Sequence, residues 1–70
     1  MTTQKIDKRF GTVAIEKGFI AQEQLLEVLK IQISDELEGA ERRLVGQILY
    51  EKGYITSDQI DEVLISMGLI

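Results

Sequence analysis

Residues 10–29 read FGTVAIEKGFIAQEQLLEVL, and residues 45–64 read VGQILYEKGYITSDQIDEVL. At an offset of 35 residues the two stretches superpose. Gly11 falls on Gly46, Glu16-Lys17-Gly18 on Glu51-Lys52-Gly53, Ile20 on Ile55, Gln24 on Gln59, and Glu27-Val28-Leu29 on Glu62-Val63-Leu64. Apolar positions match by type, with Phe19 on Tyr54 and Leu25 on Ile60. A fixed-period repeat marks a supersecondary unit used twice. Each unit reads as a helix stopped by Glu-Lys-Gly, a two-residue apolar link and a second helix, because Gly takes the left-handed conformation that ends a helix.

The pattern predicts an all-α fold of four main helices in two helix-turn-helix repeats related by a pseudo-twofold. Asp7 or a neighbour can cap a first helix over about 8–17, with Phe10, Val13 and Ala14 on one face. A longer helix over 22–38 carries Leu25, Leu29, Ile33 and Leu37 every four residues, with Leu26 and Val28 widening the stripe. A third helix is expected over 42–52 with Val45, Ile48 and Leu49 inward. The fourth, over 57–67, buries Ile60, Val63, Leu64 and Met67. Thr56 and Gln59 form a capping box that Ala21 and Gln24 lack. Unit one thus covers about 7–38 and unit two about 42–68, joined by an acidic linker over 34–41. With 70 residues and no Pro, the chain 1–70 reads as a single domain.

Composition excludes several classes of function. Cys and His are absent, which removes disulfides, thiol chemistry and the usual zinc and haem ligands. Asp35, Glu36, Glu38 and Glu41 lack the alternating oxygen ligands of a calcium loop and read as a solvated acidic helix end. No cofactor or metal is expected. No Gly-rich loop leads into a Lys that could cradle a triphosphate, and a chain this short has little volume for a water-excluding cleft. We therefore expect no enzymatic activity.

The net charge of −4 argues against DNA or RNA as a partner. Residues 1–30 carry five basic and four acidic side chains, and residues 31–70 carry three and eight. Nothing in the chain reads as a membrane-spanning or signal segment. No direct membrane insertion is expected, and the cytoplasm is the default location.

Gly11 and Gly46 each cost a helix about 1 kcal/mol against Ala. Either two helices cross there and need the missing side chain, or a flat ligand lies against the exposed backbone. Arg9 offers a planar fork for phosphate or a guanine edge, and Gln32 both a donor and an acceptor. Taken alone, Arg9 reads as a surface charge and Gln32 as a helix-face amide. Phe19 and Tyr54 share the link position and read as plugs between helices, with the Tyr54 hydroxyl kept wet.

The run from Arg9 to Gln32 also resembles a known repeat. Its pattern is Arg9, an apolar residue, Gly11, the apolar pairs Ala14-Ile15 and Phe19-Ile20 around Gly18, then Leu25, Leu29 and Gln32. It resembles the repeat in the N-terminal domains of type II secretion and type IV pilus assembly ATPases, in the subset that senses cyclic di-GMP. The resemblance implies that Arg9 and Gln32 are polar contacts to a guanine or phosphate. It implies that Phe10, Gly11, Ala14, Ile15, Phe19 and Ile20 form the surface beneath the ligand. The second copy departs from the pattern: it begins at Leu44, Arg43 sits one position early, and Met67 stands where the final Gln belongs. Its counterparts are Arg43, Val45, Gly46 and Tyr54. The ATPase portion of that family is absent.

Two functions remain. One is a non-enzymatic protein interaction and regulatory module, with an apolar C-terminus (Ile65, Met67, Leu69, Ile70) suited to docking on secretion or pilus machinery or on a second copy as a homodimer. The other is a small cyclic di-GMP receptor using residues 9–32, favoured by the cations Lys5, Lys8, Arg9 and Lys17.

Overall fold

The computed structural model describes residues 2–70, with side chains from Ile6 onward. Lys5, counted above among the cations, has a side chain outside the described residues. Four helices follow one another: α1 (Thr2–Glu16), α2 (Gln22–Leu37), α3 (Val45–Glu51) and α4 (Ser57–Ser66). Among the described residues there is no strand. The all-α class is as expected.

The two links form by the same local chemistry. At Gly18, φ is +77°, and the turn is closed by Gly18 N–H donating to the Ile15 carbonyl and Phe19 N–H to the Ala14 carbonyl, both at 2.9 Å. Gly53 repeats this with Tyr50 and Leu49 as acceptors. This 6→1 and 5→2 pair satisfies carbonyls that a helix end otherwise leaves open, and it turns the next residue inward. Phe19 and Tyr54 consequently pack against the core.

Beyond the link, Thr56 Oγ1 accepts from Gln59 N–H at 3.2 Å and Gln59 Oε1 accepts from Thr56 N–H at 3.0 Å, so the expected box forms. Unit one keeps half of it. Gln24 Oε1 accepts from Ala21 N–H at 2.8 Å, although Ala21 has no side-chain oxygen to complete the exchange.

The two units are unequal elsewhere. α1 has 15 residues and α3 has seven. α1 starts at Thr2, well before the expected Lys8, so Asp7 does not cap it. Asp7 instead points inward, 7% exposed, and its Oδ1 accepts from Val45 N–H at 2.8 Å. The carboxylate thus caps α3, a helix 38 residues away in sequence. Its Oδ2 accepts from Gln32 Nε2 at 2.8 Å, and the same Gln32 nitrogen donates to the Arg43 carbonyl at 2.9 Å. These bonds hold Leu44 extended (φ −78°, ψ 155°) and delay α3 from the expected 42 to Val45.

The core contains residues of all four helices and both links: Phe10, Val13 and Ala14 of α1, Val28 of α2, Val45, Ile48 and Leu49 of α3, Val63 of α4, and link residues Ile20 and Ile55. α3 packs on α1 and α2, and α1 also packs on α4. The α2 stripe is the main departure from expectation. Val28 is fully buried, Leu25 and Leu29 are half-buried, and Leu26, Ile33 and Leu37 are exposed, Leu37 at 84%. A step of four residues advances roughly 40° past a full turn, so three steps from Leu25 carry Leu37 roughly 120° around the axis and away from the core. On α4, Val63 is buried while Ile60, Leu64 and Met67 are half-buried. Within the acidic stretch Asp35 meets Arg43 at 3.0 Å and Glu36 meets Arg42 at 3.9 Å, while Glu38 and Glu41 are exposed and make no ion pair among the described residues.

Truncating Asp7 strands the buried Val45 N–H and one Gln32 bond. Asp7→Ala should therefore lose about 2 kcal/mol, from an unsatisfied donor and a lost cap together. Asp7→Asn, which keeps one acceptor oxygen for Val45, should lose less. Urea unfolding followed by circular dichroism checks both, and a loss under about 0.5 kcal/mol for Asp7→Ala would rule out the cap as a structural determinant.

Candidate functional site

The apolar members of the Arg9–Gln32 pattern serve mainly in packing. Ala14 is fully buried, and Phe10 and Ile20 are each 6% exposed. Ile15 and Phe19 are half-buried against the same core, and Val45 is fully buried. Both glycines lie at close approaches between elements. A Cβ at Gly11 would sit 2.5 Å from Leu25 Cδ1, and one at Gly46 would sit 3.0 Å from Phe10 Cζ. Of the two readings open in the sequence, the helix-packing one accounts for both positions.

The polar members are not brought together. Gln32 turns to Asp7 and the Arg43 carbonyl. Arg9 lies two residues after Asp7 on α1, hence roughly 200° around the helix, and is exposed. It makes no ion pair with another described residue. Arg43, its shifted counterpart, spends Nε and Nη2 on Asp35 Oδ2 (3.2 and 3.0 Å) and Nη1 on Glu51 (3.0 Å). Hydrogen bonds to Asp35 and then Glu51 hold this guanidinium more firmly protonated than usual. The Tyr54 hydroxyl, expected to be wet, donates to Glu27 Oε1 at 2.9 Å, and Lys52 Nζ meets Glu27 Oε2 at 2.9 Å. The bond from Lys52, and next that from Tyr54, lowers the Glu27 pKa. Glu27 in turn raises both Lys52 and Tyr54.

Two concavities stand out among the described residues. One, of about 310 Å³, is an apolar groove where α1 (Ile6, Phe10), the start of α3 (Leu44) and α4 (Ile60, Leu64, Met67) converge, with Leu69 at its end. Its side chains offer almost no polar chemistry, and Asp7 at its edge is already bonded. The other, of about 300 Å³, lies between α1 and α2. Lys8 and Arg42 face Asp7 and Glu36 there, so the charges balance and neither sign of ligand is favoured. The apolar C-terminus noted in the sequence supplies Met67 and Leu69 to the first of these. The sequence did not point to Ile6 and Leu44, which look like isolated apolar residues until the long α1 and the extended 42–44 segment bring them together.

Compared with family models, with curated proteins and with solved structures, the chain matches none.

A methyl at Gly46 meets the rigid ring of a core Phe, whereas one at Gly11 meets the flexible end of a half-buried Leu and gains helix propensity. Gly46→Ala should therefore lose about 1 to 2 kcal/mol by thermal unfolding and Gly11→Ala markedly less; equal losses would contradict the packing account. Glu27 should titrate on the acid side of the ordinary glutamate range by carboxyl NMR, and Lys52→Met should return it toward that range. Because its folded pKa is lowered, its contribution is complete above the unfolded value and is lost as pH falls through the folded one. The stability difference between wild type and Lys52→Met should accordingly shrink over that acid window.

Proposed function

We propose that this chain is a non-enzymatic protein interaction and regulatory module, and that the groove between α1, α3 and α4 docks an apolar helix face of a protein partner. The groove itself carries this reading. It is floored by aliphatic and aromatic carbon and bordered by exposed Ile6, Leu44 and Leu69, the surface type that binds by burying apolar area and not by reading a polar ligand. Two of the polar groups able to contact a small ligand are held in internal bonds, Gln32 by Asp7 and Arg43 by Asp35 and Glu51. The resemblance of residues 9–32 to secretion and pilus ATPase N-terminal domains supports machinery of that kind, in the cytoplasm, as the setting. No cofactor, nucleic acid or membrane insertion enters this proposal.

Arg9 favours a second reading, a small cyclic di-GMP receptor. It is exposed and makes no ion pair with the described residues, so its planar fork is open to a phosphate or a guanine edge.

One pair of experiments separates the two. A photo-reactive side chain at Leu44 should crosslink a protein in native extract, the adduct should vanish with Met67→Glu, and a probe at exposed Lys17, in the turn after α1, should not give it. Calorimetric titration with cyclic di-GMP, with GMP as control, should give no saturable heat. Dinucleotide-specific heat that Arg9→Ala removes, at unchanged melting temperature, would transfer the function to second-messenger binding.

A further inference from the structure

The molecule carries a second apolar surface that its own fold leaves uncovered. Leu26, Ile33 and Leu37 stand 51%, 57% and 84% exposed. Spacings of seven and four residues place them within roughly 40° of one another, as a ridge along the exposed side of α2 whose middle residue, Ile33, also borders the charge-balanced concavity. Lys30 belongs to the same strip, roughly 40° from Leu26, and pairs with no carboxylate among the described residues. The ridge is about 16 Å long, and α4, the helix that walls the groove, is ten residues or about 15 Å.

Ridge and groove belong to different parts of the fold. α2 packs chiefly on α3, while the groove opens among α1, α3 and α4. They cannot meet within one chain.

Charge selects how they meet between chains. α4 carries Asp58, Asp61 and Glu62 and no cation. Asp61 stands beside Ile60 and one turn before Leu64, on the edge of the groove wall. Pairing two ridges about a twofold would bring the two Lys30 side chains within about one helical turn of each other, and pairing two grooves would oppose the acidic α4 helices. Ridge against groove avoids both repulsions and sets Lys30 against the acidic edge.

Resting on the reading of the groove as a docking surface, we propose that its occupant is the Leu26–Ile33–Leu37 ridge of a second copy of this chain, so that copies associate head to tail. Such an interface leaves one free ridge and one free groove on every assembly, and it continues into longer chains unless the rotation closes a ring.

The test uses two variants altered only at exposed positions. Leu26→Gln with Leu37→Gln removes the ridge, and Leu44→Asn with Leu69→Asn removes the groove edge; melting curves confirm that both fold. In sedimentation, wild type should rise past the mass of a dimer as concentration increases. Each variant alone should stay monomeric, and an equimolar mixture should form a one-to-one heterodimer and stop, since it retains one intact groove and one intact ridge. Lys30→Glu should weaken association about tenfold, and mixing it with Asp61→Lys should recover most of that loss.

Wild type that stays monomeric at every concentration would overturn the proposal, as would a dimer whose ridge and groove variants fail to pair with each other. If the Leu44 probe still crosslinks a different protein in that event, only the identity of the occupant fails. Loss of both results removes the docking reading itself.

Discussion

The carboxylate of Asp7 is the constraint on which the rest of the arrangement depends. It is buried, and it binds the first amide of α3 with one oxygen and the Gln32 side chain with the other. A seven-residue helix is too short to persist on its own, because nucleation fixes several residues before hydrogen bonds repay the cost. α3 therefore exists through burial of Val45, Ile48 and Leu49 and through a cap supplied by another helix. Gln32 adds the Arg43 carbonyl to the same network, so α1, α2 and the entrance to α3 are fixed together. The network leaves none of the described buried side-chain polar atoms without a partner, the condition under which a buried polar cluster specifies one structure.

The placement of α3 decides what surface the molecule offers. Starting at Val45, it sets Gly46 against Phe10 and leaves Leu44 extended at the groove edge. The charged pairs around it, Arg43 with Asp35 and Glu51 and Lys52 with Glu27, lie toward the surface. Exposed pairs of this kind contribute little to stability. They occupy Arg43, Lys52 and Glu27, which leaves Arg9 as the open cation of the Arg9–Gln32 pattern and weighs the functional reading toward apolar docking.

The links were legible in the sequence because a Gly-centred stop and a Thr-to-Gln box are local: every atom involved lies within six residues. The inner faces of α1 and α3 were legible as well, since Phe10, Val13, Ala14, Val45, Ile48 and Leu49 all lie in the core. The α2 stripe was misread because a four-residue period looks continuous in sequence while it winds around the helix. The spacing of Arg9 and Gln32 was legible as a pattern, but Gln32 is engaged by Asp7, whose direction along α1 differs from that of Arg9 by roughly 200°.

By itself the sequence determined that this chain is helical, that it turns at Gly18 and Gly53, and which residue types it lacks. Those properties follow from backbone sterics, local hydrogen bonding and composition, which need no distant partner. Only the tertiary structure decided that Asp7 caps α3 rather than α1, that Leu26, Ile33 and Leu37 face outward, and that Ile6, Leu44 and Leu69 share one groove. Each of these depends on where distant segments meet, and that follows from the burial of a common core and the satisfaction of one carboxylate within it.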